Sequence, residues 1–247
     1  MDMPPYPLPK IVSRTEWLRA RRALLAKEKE LTRLRDALNA ERRRLPVVKV
    51  ETDYVFEGPN GKVRLIDLFE GRRQLYIHHF MWIDALETGC PTCTRAADMN
   101  FNSVPWLAQL EQRDVTFACV ARAPYEKVAA YRARRGWTFP FYSSAPSTFH
   151  YDFQSTLDET KAPIEYNYCS KQELLDAGFP AEALRGDFPA NSVFVRDEQN
   201  VYHAYSAYAR GLDQLFPPYN FLDLTPYGRQ EEWEDSPEGW PQRPTYG

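Results

Sequence analysis

The chain has 247 residues, 43% hydrophobic, 14% aromatic and 26% charged. That balance is too apolar for a disordered chain, and no run approaches the roughly 20 consecutive apolar residues of a membrane helix. The opening Met-Asp-Met-Pro-Pro-Tyr-Pro-Leu-Pro lacks the basic and apolar regions of a signal peptide. The expectation is a soluble, cytoplasmic protein without a membrane partner. Net charge is only −3, yet residues 14 to 49 are strongly basic and the remainder is acidic.

Residues 13 to 45 predict one long helix. Ser13 and Glu16 form a capping-box pattern, and Pro46 stops the run. Trp17, Leu24, Leu31, Leu38 and Leu45 recur every seven residues as a narrow seam on a charged rod. The seam predicts a homodimer through this arm, residues 1–46. Its arginine clusters read as a solvated face. Nucleic acid is not an expected partner, because the acidic remainder repels phosphate and no DNA-reading motif is present.

From Val47 the texture changes to short strands and turns. Val47–Val50 and Tyr54–Phe56 are β-like, and Val63 to Phe69 read as a strand running into a turn at Gly71. Gln74–Met81 and Val115–Ala121 have the apolar filling of central strands. Residues 91 to 111 suit a helix that Pro105 should break or kink. Pro124–Arg135 predicts a helix closed by Gly136, and Thr138–Tyr142 a short strand. This alternation argues a parallel α/β core. Residues 143–190 read as an irregular insertion, helical only over 171–177. Ser192–Arg196 and Val201–Tyr208 form a hairpin pattern. The domain is expected over 47–225, with 226–247 an acidic tail, draped or mobile.

Cys90 and Cys93 form a Cys-x-x-Cys pair between a predicted strand and a predicted helix. At a helix start, free N–H groups stabilise a thiolate and lower a cysteine pKa. Pro91 suits the first helical position. Cys90 is the expected nucleophile and Cys93, one turn on, the resolving thiol. Metal binding stays open: the pair would need further ligands from Cys119, Cys169 or the histidines His78, His79, His150 and His203, with His203 the leading candidate. No cofactor is expected.

The stretch from Tyr54 to Phe141 resembles the core of the thioredoxin-like superfamily, in its peroxiredoxin-type branch. More closely, the chain is similar to the DUF899 family, described as predicted dithiol–disulfide oxidoreductases. The matching stretches are KEKELTRLRDALNAERRRLP, YVFEGPNG, QLYIHHFM, GCPTC, ARAP, RGW, YSS, YDF, SVF, VYHAYSAYARG and LDLTPYGR. The resemblance implies a thioredoxin-like α/β fold and thiol–disulfide chemistry on a protein or small-molecule partner. Its alternative is a metal-binding or redox-inactive interaction module.

Two departures stand out. Asn191 falls where thioredoxins carry a cis-proline, and Trp82 to Gly89 lengthens the link into Cys90. The Pro-x-x-x-Thr-x-x-Cys pattern of a peroxiredoxin is absent, with Ile83 and Glu87 in its places. Assisting candidates are Arg122 at a strand end, Asp98 five residues beyond Cys93, His203 on the hairpin, and Ser143 with Ser144 after a strand. His78 and His79 point to opposite faces of one strand, so at most one reaches the site. Cys119 reads as a buried small hydrophobe, and Cys169 as a free or second resolving thiol.

Overall fold

The computed structural model describes residues 7–243. These fall into two compact units, the first combining the residues up to Pro46 with those from Pro218 onward, the second running from Val47 to Pro217. Among the described residues no helix is long and apolar enough to cross a membrane.

The N-terminal helix α1 spans Arg14–Arg42, about 43 Å of rod at 1.5 Å per residue. Ser13 and Glu16 close its first turn reciprocally, Oγ accepting the Glu16 N–H and the carboxylate accepting the Ser13 N–H. It buries no residue, and Trp17, Leu24, Leu31 and Leu38 are exposed.

The second unit is built on an eight-stranded sheet: β1 Val48–Lys49, β2 Val55–Gly58, β3 Gly61–Arg64, β4 Gln74–His79, β5 Val115–Ala121, β6 Phe141–Ser143, β7 Ala190–Arg196 and β8 Val201–Tyr208. Their spatial order is β1-β8-β7-β4-β5-β6-β2-β3. Strands β4, β5 and β6 run parallel, while the β7–β8 hairpin joins β4 antiparallel. A parallel β4–β5 pair joined through helices and flanked by an antiparallel hairpin is the thioredoxin-like arrangement. The β2–β3 hairpin extends it at the opposite edge.

The helices between β4 and β5 come in three pieces rather than one kinked rod. Helix α2 (Pro91–Ala96) runs into a π-turn over Ala97–Phe101, and α3 (Val104–Glu111) restarts after Ser103. Pro105 sits in the first turn of α3, where its missing N–H costs nothing. Residues 65–69 form a 3-10 turn instead of a strand. Asp67 accepts the Arg64 N–H there, while Leu65, Leu68 and Phe69 turn inward together. Helix α4 (Tyr125–Arg135) ends at Gly136 with φ +67°, a left-handed residue that suits glycine.

Two apolar layers cover the sheet. Tyr76, Phe80, Phe117, Cys119 and Phe141 pack with Cys93, Phe101, Val128 and Trp137 on one face. Leu75, Ile77, Ala118, Val120 and Phe194 pack with Leu68, Phe69, Phe149 and Phe153 on the other. Each buried phenylalanine contributes roughly 1.5–3 kcal/mol. The 143–190 region contains, besides a helix at Lys171–Asp176, a turn at Phe149–Asp152 and two small strand pairs, with its own cluster of Leu157, Ile164, Tyr166, Leu174 and Leu184.

In the first unit, residues 231–235 are held rather than loose. The Glu234 carboxylate accepts the N–H groups of Arg229 and Glu231, and Glu231 pairs with Arg243. Residues 244–247 of the predicted tail lie outside the described residues.

Candidate functional site

Beyond β4 the chain folds back on itself. Trp82–Ile83 pairs with Thr88–Gly89, and the Cys90 N–H then donates to the Met81 carbonyl at 3.1 Å. This small hairpin delivers Cys90 as the N-cap of α2, with Pro91 next. Gly89 lies flush against the core: a Cβ there would come within 2.5 Å of Phe80 and 3.1 Å of Tyr131.

Cys90 is half-buried and Cys93 buried, and both are free thiols. The Cys93 thiol, the Thr92 hydroxyl and the first-turn N–H groups of Thr92 and Cys93 lie near the Cys90 sulfur, where they favour its thiolate. These donors outweigh burial and bring the Cys90 pKa down to about 6. Donation to Cys90, burial and the neighbouring negative charge together push Cys93 well above the ordinary thiol value. One sulfur is thus poised as thiolate while its neighbour holds its proton.

The hairpin carrying Cys90 is tied down by charge. Arg122, at the end of β5, donates from Nη2 to Asp84 at 2.6 Å and from Nε to Asp187 at 3.0 Å. Asp187 is almost fully buried and also accepts Thr156 Oγ1 at 2.7 Å and the Trp82 N–H at 3.3 Å. Lys127 pairs with Glu87 on the same hairpin. Arg122 therefore braces the loop through two carboxylates, the role of an anchor.

Three other predicted assistants also have structural partners. Asp98 pairs with Arg135 and accepts the Trp137 Nε1–H at 2.7 Å, clamping the π-turn to α4. Ser143, fully buried, donates to the Ala123 carbonyl at 2.5 Å and accepts the Ala145 N–H. His203 lies on the face away from Cys93, against Phe153 and Phe194 and hydrogen-bonded to Ser206 at 2.8 Å. It cannot complete a metal site with Cys90 and Cys93, because strand pleating sends it to the other side. No three His, Cys, Asp or Glu among the described residues converge on a common point.

The two strand histidines divide as alternation requires. His78 lies on the cysteine face, donating from Nδ1 to Asn191 at 2.8 Å and tilted against Phe101. His79 lies on the other, bonded to Ser192 at 2.9 Å and 5.1 Å from His150. His150 is bonded to Ser144 at 2.6 Å. Burial holds His78 and His150 down at about 4, and His79 well below the usual value. Cys119 is buried, its thiol pushed up by desolvation. Cys169 packs in the 143–190 cluster instead.

Asp84, Asp187, Thr94 and Tyr131 escaped the sequence reading. Only Thr94 left a trace there, four residues after Cys90 and so one helical turn away.

The family model for DUF899, "Bacterial protein of unknown function", matches residues 6–246. The chain belongs to the DUF899 family. No curated protein matches it. Among solved structures, this DUF899 protein is similar to the bacterioferritin comigratory protein of Xanthomonas campestris, at 12% identity and a TM-score of 0.44, over 70% of this chain and 96% of that one. It is similar to PrxQ of Xylella fastidiosa at 12% and 0.44, over 72% and 96%. The peroxidoxin BcpB of Mycobacterium tuberculosis follows at 14% and 0.43, over 70% and 93%.

Proposed function

We propose that this DUF899 protein is a thiol–disulfide oxidoreductase acting through Cys90 and Cys93. The observation that carries the reading is the asymmetry of the pair: a half-exposed sulfur at the start of α2, among the donor groups of Thr92 and Cys93, beside a buried thiol that keeps its proton. The Cys90 thiolate attacks one sulfur of a substrate disulfide, forming a mixed disulfide and expelling the other sulfur as thiolate. Cys90 then no longer carries charge, and the effect that held the Cys93 proton is relieved. Cys93 loses that proton, attacks the Cys90 sulfur and releases the second substrate thiolate. The substrate gains two electrons and the protein is left with a Cys90–Cys93 disulfide, which an external thiol reduces.

The partner is a protein or small-molecule disulfide, met in the cytoplasm, where glutathione and thioredoxin pools supply the reducing thiol. The absence of the Pro-x-x-x-Thr pattern before Cys90 favours a disulfide over a peroxide as oxidant.

Treating the reduced chain with oxidised glutathione tests this. The Cys93→Ser variant is expected to trap one glutathione on Cys90, while the unaltered chain forms the internal disulfide. Cys90 remaining unmodified in both would leave the alternative of a redox-inactive interaction module.

The same reading includes a homodimer through α1, supported by its seven-residue seam of exposed Trp17, Leu24, Leu31 and Leu38. Light scattering at tens of micromolar should give twice the chain mass; a monomer would reject it.

A further inference from the structure

Cys93 is followed by a buried hydroxyl with two partners. Thr94 Oγ1 donates to the Cys90 carbonyl oxygen at 2.9 Å, and the Thr94 N–H reaches the same oxygen at 2.9 Å. Thr94 Oγ1 also lies 2.7 Å from the Tyr131 hydroxyl. The direction of this chain follows from its end. A carbonyl only accepts, so the Thr94 proton is committed to it, and the Tyr131 O–H must donate to Thr94.

Tyr131 is itself fixed. Its ring packs edge-on against Trp82 at 5.6 Å and Trp137 at 5.4 Å. Phe80 lies 6.3 Å away. The hydroxyl therefore arrives from α4, across the site, on a side chain with little freedom.

We propose that Tyr131 and Thr94 are positioning residues that hold the Cys90 carbonyl, and through it the first turn of α2 that carries the Thr92 and Cys93 N–H groups close to the Cys90 sulfur. This rests on Cys90 being the attacking thiol. Two effects combine. The doubly bonded carbonyl pins the turn in which the sulfur and its N–H donors must face one another. The aligned O–H dipoles also point their positive ends toward Cys90 and draw charge from its carbonyl, favouring a nearby anion. Neither residue touches a substrate, so neither is catalytic.

The test reads Cys90 acidity directly and needs no substrate. Iodoacetamide labelling of the reduced full chain is followed against pH, with Cys90 resolved by peptide mass spectrometry. Tyr131→Phe keeps the ring and removes the hydroxyl; Thr94→Val keeps the shape and removes both bonds; Thr94→Ser keeps the hydroxyl. The Phe and Val variants should titrate about half a pH unit higher than the unaltered chain, about threefold less thiolate at acidic pH. The Ser variant should titrate with the unaltered chain, a rescue that general loosening would not produce.

Identical titration of all four proteins would overturn the proposal. An ordinary thiol titration of Cys90 in the unaltered chain would overturn both it and the oxidoreductase reading. A low titration that responds to these variants, without exchange with oxidised glutathione, would sink the function and leave the positioning role standing.

Discussion

The guanidinium of Arg122 lies 3.0 Å from the carboxylate of Asp187, and that carboxylate is almost wholly removed from solvent. The two residues are 65 positions apart, so the pair links the end of a central strand to the 143–190 insertion beside the hairpin that bears Cys90. Arg122→Ala would leave the buried carboxylate with only Thr156 Oγ1 and the Trp82 N–H. Removing one partner of a buried pair typically costs about 3–5 kcal/mol; because Arg122 is partly exposed, about 2–3 is expected. Adding Asp187→Asn should recover part of it by neutralising the stranded charge. Urea unfolding of the three proteins measures this, and a loss below about 0.5 kcal/mol for Arg122→Ala would contradict the bracing role.

The labelling rate of Cys90 in the unaltered chain should climb through pH 6, since its donors lower its pKa to about 6. Cys93 and Cys119, held high by burial, should stay unlabelled over the same range. A midpoint near the ordinary 8.5 would remove the physical basis for Cys90 as nucleophile.

Acid should destabilise the fold earlier than carboxylate protonation alone predicts. His78 and His150 are held neutral by burial down to about pH 4, against about 6.5 when unfolded. Each depressed value contributes stability that is complete above about pH 6.5 and lost as pH falls toward 4. At pH 5 the loss is about 2 kcal/mol per histidine. The urea midpoint should drop steeply between pH 6.5 and 5, and His150→Gln should flatten part of that slope. An unchanged midpoint over this window would contradict the burial of these rings.

Gly89→Ala should damage both fold and site. The added methyl would sit 2.5 Å from Phe80 Cε1 and 2.6 Å from its Cζ, inside the aromatic core. Overpacking of this kind costs about 1–3 kcal/mol. Relief must come from shifting the backbone that positions Cys90, so the Cys90 titration should move as well. A variant that melts and titrates like the unaltered chain would show the contact to be soft.

Much of this architecture was legible in the chain itself. The capping box at Ser13 and Glu16, the strands at Gln74 and Val115, and the turn at Gly136 rest on signals carried by adjacent residues. The proline in the first turn of α3 was legible too: the helical stretch breaks there, Ser103 capping a new helix that Pro105 helps to start. The strand expected at 63–69 stops at Arg64, because Arg64 and Asp67 close a turn whose apolar residues share one side.

The sequence alone determined that two cysteines would stand where a strand gives way to a helix, because spacing, the proline at the first helical position and flanking apolar runs are local properties. Tertiary structure decided what surrounds them. Strand pleating put His203 and His79 on the far face, and Asp98, named among the assisting candidates, pairs with Arg135 and Trp137 as a clamp. Thr94 meets Tyr131 across 37 residues, and Arg122 meets Asp187 across 65. Such contacts depend on how helices and insertion settle on the sheet, a packing outcome that no short window of sequence contains.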